Sequence, residues 1–134
     1  MSMDQPCPTA PRMSQPCFLV LCEDGSKAPS LRERDLEGHL AHVERHWRRY
    51  LAAGPLRNPG ETALSGSIFL VFATDEAEVR TLMEGDPYFT NGQYQSVRIV
   101  GFTPAIGLSL GGKIWSDPAS LRGRAAGGEP GGQA

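Results

Sequence analysis

Apolar positions fall into three strand-like patterns and two helix-like ones. Cys17-Phe18-Leu19-Val20-Leu21-Cys22 is a short continuous apolar run closed by Glu23-Asp24-Gly25-Ser26, the pattern of a buried strand. Ile68-Phe69-Leu70-Val71-Phe72-Ala73 repeats it and is the strongest strand signal in the chain. From Tyr94 to Phe102, Val97 and Ile99 alternate with Ser96, Arg98 and Val100, which predicts a further strand. The polar stretch from Leu56 to Leu64, with Pro59-Gly60 inside it, leaves room for a weak edge strand.

The first helical pattern is Leu36, Leu40, Val43, Trp47, Tyr50 and Leu51, at spacings of four, three, four, three and one. On a helical wheel these residues form a stripe roughly 100° wide, which predicts an amphipathic helix with the stripe on the core. Ser30-Leu31-Arg32-Glu33 has capping-box spacing. Gly38 costs about 1 kcal/mol inside a helix, so the regular part is expected to start nearer Glu37. Gly54-Pro55 is the expected terminator. A second helix is expected after Thr74 as N-cap, with Asp75 and Glu76 at the positive end of its dipole, running to about Glu84 and stopping at Gly85. Asp86 to Gly92 reads as a loop with room for one helical turn.

The order is β-α-β-β-α-β. Short connections and right-handed crossovers turn it into an α+β, ferredoxin-like fold: a four-stranded antiparallel sheet with both helices on one face. Strands 17–22 and 68–73 are apolar on both sides, and the helices cover only one. The other face is expected to meet a second copy, giving a homodimer packed sheet to sheet.

Composition adds boundaries. The chain has 134 residues and a mass of 14.5 kDa, one domain's worth. Gly (16) and Pro (11) concentrate at the ends. Residues 1–16 and 116–134 are therefore expected to be disordered tails around a folded region of residues 17–115, because neither can bury enough apolar surface to offset its ordering entropy. With 13 Lys+Arg against 15 Asp+Glu, the net charge of −2 argues against a nucleic-acid binder that works by bulk charge. No run of about 18 apolar residues is present, and no membrane partner is expected. The N-terminal stretch lacks the apolar segment of a signal peptide, so a cytoplasmic location is expected. Cys7, Cys17 and Cys22 are an odd count, and Cys17 and Cys22 lie about 16 Å apart along one strand, too far to bridge. Buried reduced thiols are the expectation.

Candidate chemistry is sparse. His39, His42 and His46 share one side of the first helix. Such spacing lets imidazoles face one ion, but no carboxylate stands as in HExxH and no cysteine joins them, so no metal is expected. On the predicted wheel His39 and His46 border the core and His42 looks outward. A histidine at the edge of an apolar face suits general acid–base chemistry. Asp86-Pro87 is a good N-cap followed by a first helical residue, which does not exclude a catalytic role for Asp86. Tyr88, Phe89 and Tyr94 crowd one loop, as a pocket lining or as cover for the sheet edge. No GxxxxGK[ST], GxGxxG or GxSxG motif is present, so no nucleotide cofactor and no serine hydrolase chemistry is expected.

His39-Leu40, Ala53-Gly54-Pro55, Ser65-Gly66-Ser67, Asp86-Pro87-Tyr88 and Gly92-Gln93-Tyr94 together resemble the YCII-related proteins, over about residues 17–103. The resemblance implies a ferredoxin-like fold whose sheets pair into a dimeric α/β barrel, and an active site pairing His39 with Asp86. One branch of the family acts as a dehydrochlorinase on a chlorinated hydroxyhydroquinone, which implies acid–base chemistry of the lyase or isomerase type. In that reading Asp86 fixes the tautomer of His39, the other ring nitrogen moves a proton, and Tyr88, Tyr94 and Ser67 bind a small aromatic or carbonyl-containing substrate. The alternative is a non-catalytic dimer that binds a small molecule or serves as an accessory subunit. An intact His–Asp pair facing a cavity distinguishes the first; a filled apolar site with His39 bonded only to backbone distinguishes the second.

Overall fold

The computed structural model describes residues 5–122. Strands β1 (Cys17–Asp24), β2 (Tyr50–Leu56), β3 (Gly66–Phe72) and β4 (Tyr94–Phe102) form one antiparallel sheet in the order β2-β3-β1-β4. Helices α1 (Ala28–Arg45), α2 (Glu76–Glu84) and the single turn α3 (Pro87–Thr90) complete the ferredoxin-like α+β arrangement. A small ladder of β5 (Ile106–Gly107) and β6 (Gly112–Lys113) follows.

The apolar runs at 17–22 and 68–73 become the two central strands, paired from Cys17↔Phe72 to Glu23↔Gly66. That register brings backbone so close that a Cβ on Gly66 would lie 2.1 Å from the Cys22 carbonyl oxygen, so only glycine fits there. Val20, Cys22, Phe69 and Val71 point to the helix-covered face and join Val79, Leu82 and Met83 of α2 in the core. By strand alternation, Leu19, Leu21, Ile68, Leu70 and Val100 lie on the opposite face, half-buried and outside that core.

Three expectations are corrected around α1. The helix begins at Ala28, with Pro29 in its first turn, and Ser30 makes no capping box: its hydroxyl donates to the Lys27 carbonyl. It ends at Arg45; a 3₁₀ turn at Trp47–Arg49 follows, and Tyr50 is already extended. Gly54-Pro55 therefore lies within β2 and terminates no helix, and the second strand precedes the stretch 56–64, reaching only its first residue. Tyr50 and Leu51 merely coincide with the helical phase; pairing with β3, from Tyr50↔Val71 to Leu56↔Gly66, outweighs local preference.

The third correction concerns which side of α1 is inside. Leu36, Leu40 and Trp47 are 46%, 43% and 64% exposed, whereas His42, expected outward, is buried at 7%. The helix is rolled by roughly a quarter turn from the predicted stripe. The cause is α3, which packs beside α1: a Cβ on Gly38 would sit 3.1 Å from the Pro87 Cγ. Gly38 thus trades helix propensity for close approach of the turn that begins at Asp86.

At α2 the cap is Asp75, one residue later than expected, and it accepts from the Glu78 N–H at 2.9 Å. Thr74 donates instead to the Glu78 carboxylate. Of the stretch read as an N-terminal tail, Pro8 and Ala10 exchange backbone hydrogen bonds with Lys113. The expectation for residues 123–134 of the C-terminal stretch, and for residues 1–4, lies outside the described residues. No helix is long and apolar enough to cross a membrane among the described residues.

Candidate active site

Asp86 is the N-cap of α3. Its Oδ1 accepts from the Tyr88 N–H at 2.9 Å, and Pro87 follows at the first helical position, as local chemistry favours. The side chain is 1% exposed. Because Gly38 admits Pro87, the same carboxylate reaches α1: His39 Nδ1 lies 2.9 Å from both Asp86 oxygens. Capping and pairing are thus performed by one group. An ionised carboxylate only accepts, so the ring hydrogen of neutral His39 belongs on Nδ1, leaving Nε2 with its lone pair.

Two aromatic rings hold the imidazole. Tyr88 stacks on it with centroids 3.9 Å apart and planes 6° from parallel, and Phe69 meets it edge-on at 6.5 Å. The Tyr88 hydroxyl donates to the Arg32 carbonyl at 3.1 Å. Tyr94 donates to Ser67 Oγ at 3.0 Å. Burial pushes the phenols of both tyrosines above their usual pKa, so each keeps its proton.

His39 lines a cavity of about 620 Å³ between α1 and β2, together with Leu36, Leu40, Ala53, Gly54, Pro55, Ser67 and Tyr88. The apolar stripe of α1 is therefore cavity wall more than core. Nε2 of His39 has no hydrogen-bond partner among the described residues and is not sealed from solvent. Of the five residues singled out from sequence, the structure brings His39, Ser67 and Tyr88 to the cavity, sets Asp86 behind His39, and connects Tyr94 through Ser67. Sequence reasoning missed Arg32, which also lines the cavity. The signal was available: Arg32 precedes His39 by seven residues, two helical turns along nearly the same face.

The other histidines do not join the pair. His42 packs under α2, where a Cβ on Gly85 would lie 2.7 Å from its Cε1, and its Nε2 is buried without a partner. His46 stacks obliquely on it at 4.7 Å. Among the described residues no three His, Cys, Asp or Glu side chains are placed to share a metal ion. Cys17 and Cys22 are buried free thiols, and burial pushes Cys22 up to about 12, with the Asp86 and Asp24 carboxylates adding to it.

Burial also holds His42 below the usual histidine pKa; the Asp86 carboxylate opposes this and the His46 charge reinforces it. The unfolded state therefore takes up a proton near the ordinary value of about 6.5 while the folded state resists it. This contribution is intact above that pH and is lost on acidification below it, by at most about 1.4 kcal/mol per pH unit. Urea unfolding at about pH 7 and about pH 5.5 should show a smaller loss in His42→Leu than in the native protein; equal losses would assign the acid sensitivity elsewhere.

A sequence model of the YCII-related domain matches residues 17–103, which span the four strands of the main sheet, helices α1 to α3 and the His39–Asp86 pair. The chain belongs to the YCII-related family. Two solved structures are similar to this YCII-related protein. One is 5-chloro-2-hydroxyhydroquinone dehydrochlorinase (TftG) from Burkholderia phenoliruptrix AC1100, in complex with 2,5-dihydroxybenzoquinone. It shares 22% identity at a TM-score of 0.60, covering 69% of this chain and 96% of that one, a likeness of fold. The other is PA3566 from Pseudomonas aeruginosa, with 17% identity and a TM-score of 0.41, covering 68% of this chain and 95% of that one. No curated protein matches the chain in sequence.

Proposed function

We propose that this YCII-related protein is a small-molecule enzyme of the lyase or isomerase type, in which His39 moves a proton to or from a substrate held in the cavity. One observation carries this reading: a buried carboxylate lies 2.9 Å from Nδ1 of an imidazole whose other face of chemistry borders a cavity. In the reaction Nε2 accepts a proton, Asp86 stabilises the imidazolium that forms, and the same nitrogen returns the proton to the product or leaving group. The stacked Tyr88 ring keeps the imidazole in plane during both transfers. The volume suits a compact aromatic or carbonyl-containing molecule. Family membership supports the reading, as does the dehydrochlorinase activity of the TftG neighbour. The working unit is a homodimer joined through the open sheet face, in the cytoplasm.

The test is proton exchange. In D₂O, a panel of hydroquinols, enolisable ketones and 5-chloro-2-hydroxyhydroquinone is followed by NMR for C–H to C–D exchange and by electrode for chloride release. The native protein should turn over at least one member, and His39→Asn should slow it by about 10²–10⁴-fold. Exchange that persists undiminished in His39→Asn contradicts the reading.

A further inference from the structure

The cavity has a second polar end, built from Arg32 and Ser67. Arg32 Nε donates to Asp24 at 3.0 Å, and Nη2 shares its two hydrogens among Asp24 at 3.0 Å, the Gly66 carbonyl at 2.8 Å and Ser67 Oγ at 3.2 Å. These bonds lock the guanidinium, whose remaining nitrogen, Nη1, has no partner among the described residues and is not sealed away. Its carbon lies 5.5 Å from the centre of the Tyr88 ring, the ring that stacks on His39. Tyr88 is thus the spacer between a cation and the proposed acid–base group.

Ser67 contributes a donor. Its hydroxyl oxygen receives the Arg32 N–H and the Tyr94 O–H. Tyr94 is taken as the donor in that pair of hydroxyls, 3.0 Å apart. A hydroxyl has two lone pairs and one hydrogen. With Arg32 and Tyr94 donating to its oxygen, the hydrogen of Ser67 has no acceptor among the described residues, and Ser67 lines the cavity at 4% exposure. Asp24 offsets the formal charge of Arg32, so the end acts through fixed, aimed N–H and O–H dipoles. Glu33, the other charged side chain on the lining, is exposed and screened by solvent.

We infer that Arg32 Nη1 and Ser67 Oγ–H together bind an anionic oxygen of the ligand, a carboxylate or a phenolate, and so set the site's specificity while His39 works two helical turns away. The apolar body between the two ends rests on Leu36, Leu40 and Phe69. This rests on the cavity being the ligand site, but not on His39 being a catalyst.

The test is equilibrium binding to the full chain, read by NMR titration with benzoate, 4-nitrophenolate and neutral benzamide. At least one of the two anions should bind tenfold or more tightly than benzamide, and the ratio between them tells carboxylate from phenolate. Arg32→Gln should abolish the preference. Since it also leaves Asp24 unpaired, Ser67→Ala serves as the second variant and should reduce the preference at least threefold. The inference is overturned by equal binding of benzamide and both anions, by binding of neither anion, or by a preference that survives Ser67→Ala in full. An anion preference without proton exchange would sink the proposed reaction and leave this inference standing.

Discussion

Asp86→Ala should lower the folding free energy by about 2–4 kcal/mol, whereas Asp86→Asn should cost no more than about 1 kcal/mol. The difference separates the two roles of one side chain. Alanine removes the cap of α3, whose Tyr88 N–H loses its acceptor, and strips the partner from His39 Nδ1 in a place where Asp86 is 1% exposed. Buried donors without acceptors are expensive. Asparagine keeps a cap oxygen, and it is as good an N-cap as aspartate. It cannot supply the negative charge that balances an imidazolium during proton transfer. The expected pattern is a near-native denaturant midpoint for Asp86→Asn with turnover reduced at least about 10²-fold. Full activity in Asp86→Asn would make Asp86 a cap alone.

The second large effect is expected at the open sheet face. Leu19, Leu21, Ile68, Leu70 and Val100 lie on the side of the sheet opposite the helices, and Leu70 sits near the middle, paired with Leu19 on β1 and Ala52 on β2. In the proposed dimer these half-buried apolar side chains form the contact with the second copy. In the proposed dimer a charge placed there is buried without a partner, at several kcal/mol per subunit. Leu70→Glu should therefore turn a dimer into a monomer in sedimentation at micromolar concentration, while the fold of each subunit persists because Leu70 is outside the helix-covered core. A native protein that sediments as a monomer would remove the dimer from the account.

The legible parts of this fold were those where one local pattern decides the outcome. β1 and β3 are unbroken apolar runs, and β4 begins and ends where alternation predicts, Tyr94–Phe102. Asp86-Pro87 announced a cap by residue type alone, and its turn formed there. The failures lie where tertiary contacts override local pattern. Tyr50 and Leu51 extend the helical phase by coincidence but serve as strand partners of β3. His42 looked exposed because the wheel was centred on Leu36 and Leu40, which face a cavity. Nothing local reveals that α3 packs on the Gly38 side of α1 and rolls the buried face toward His42. For Arg32 the spacing to His39 was legible, but its anchor, Asp24, and its neighbour, Ser67, belong to other elements.

In the proposed site Asp86 holds His39 with its hydrogen on Nδ1 and its lone pair on Nε2. Long-range ¹H–¹⁵N correlation spectra of the histidine side chains, recorded where the ring is neutral, read this directly. A pyrrole-type Nδ1 and a pyridine-type Nε2 are expected for His39, with this bias lost in Asp86→Asn. A neutral His39 carrying its hydrogen on Nε2 in the native protein would contradict it.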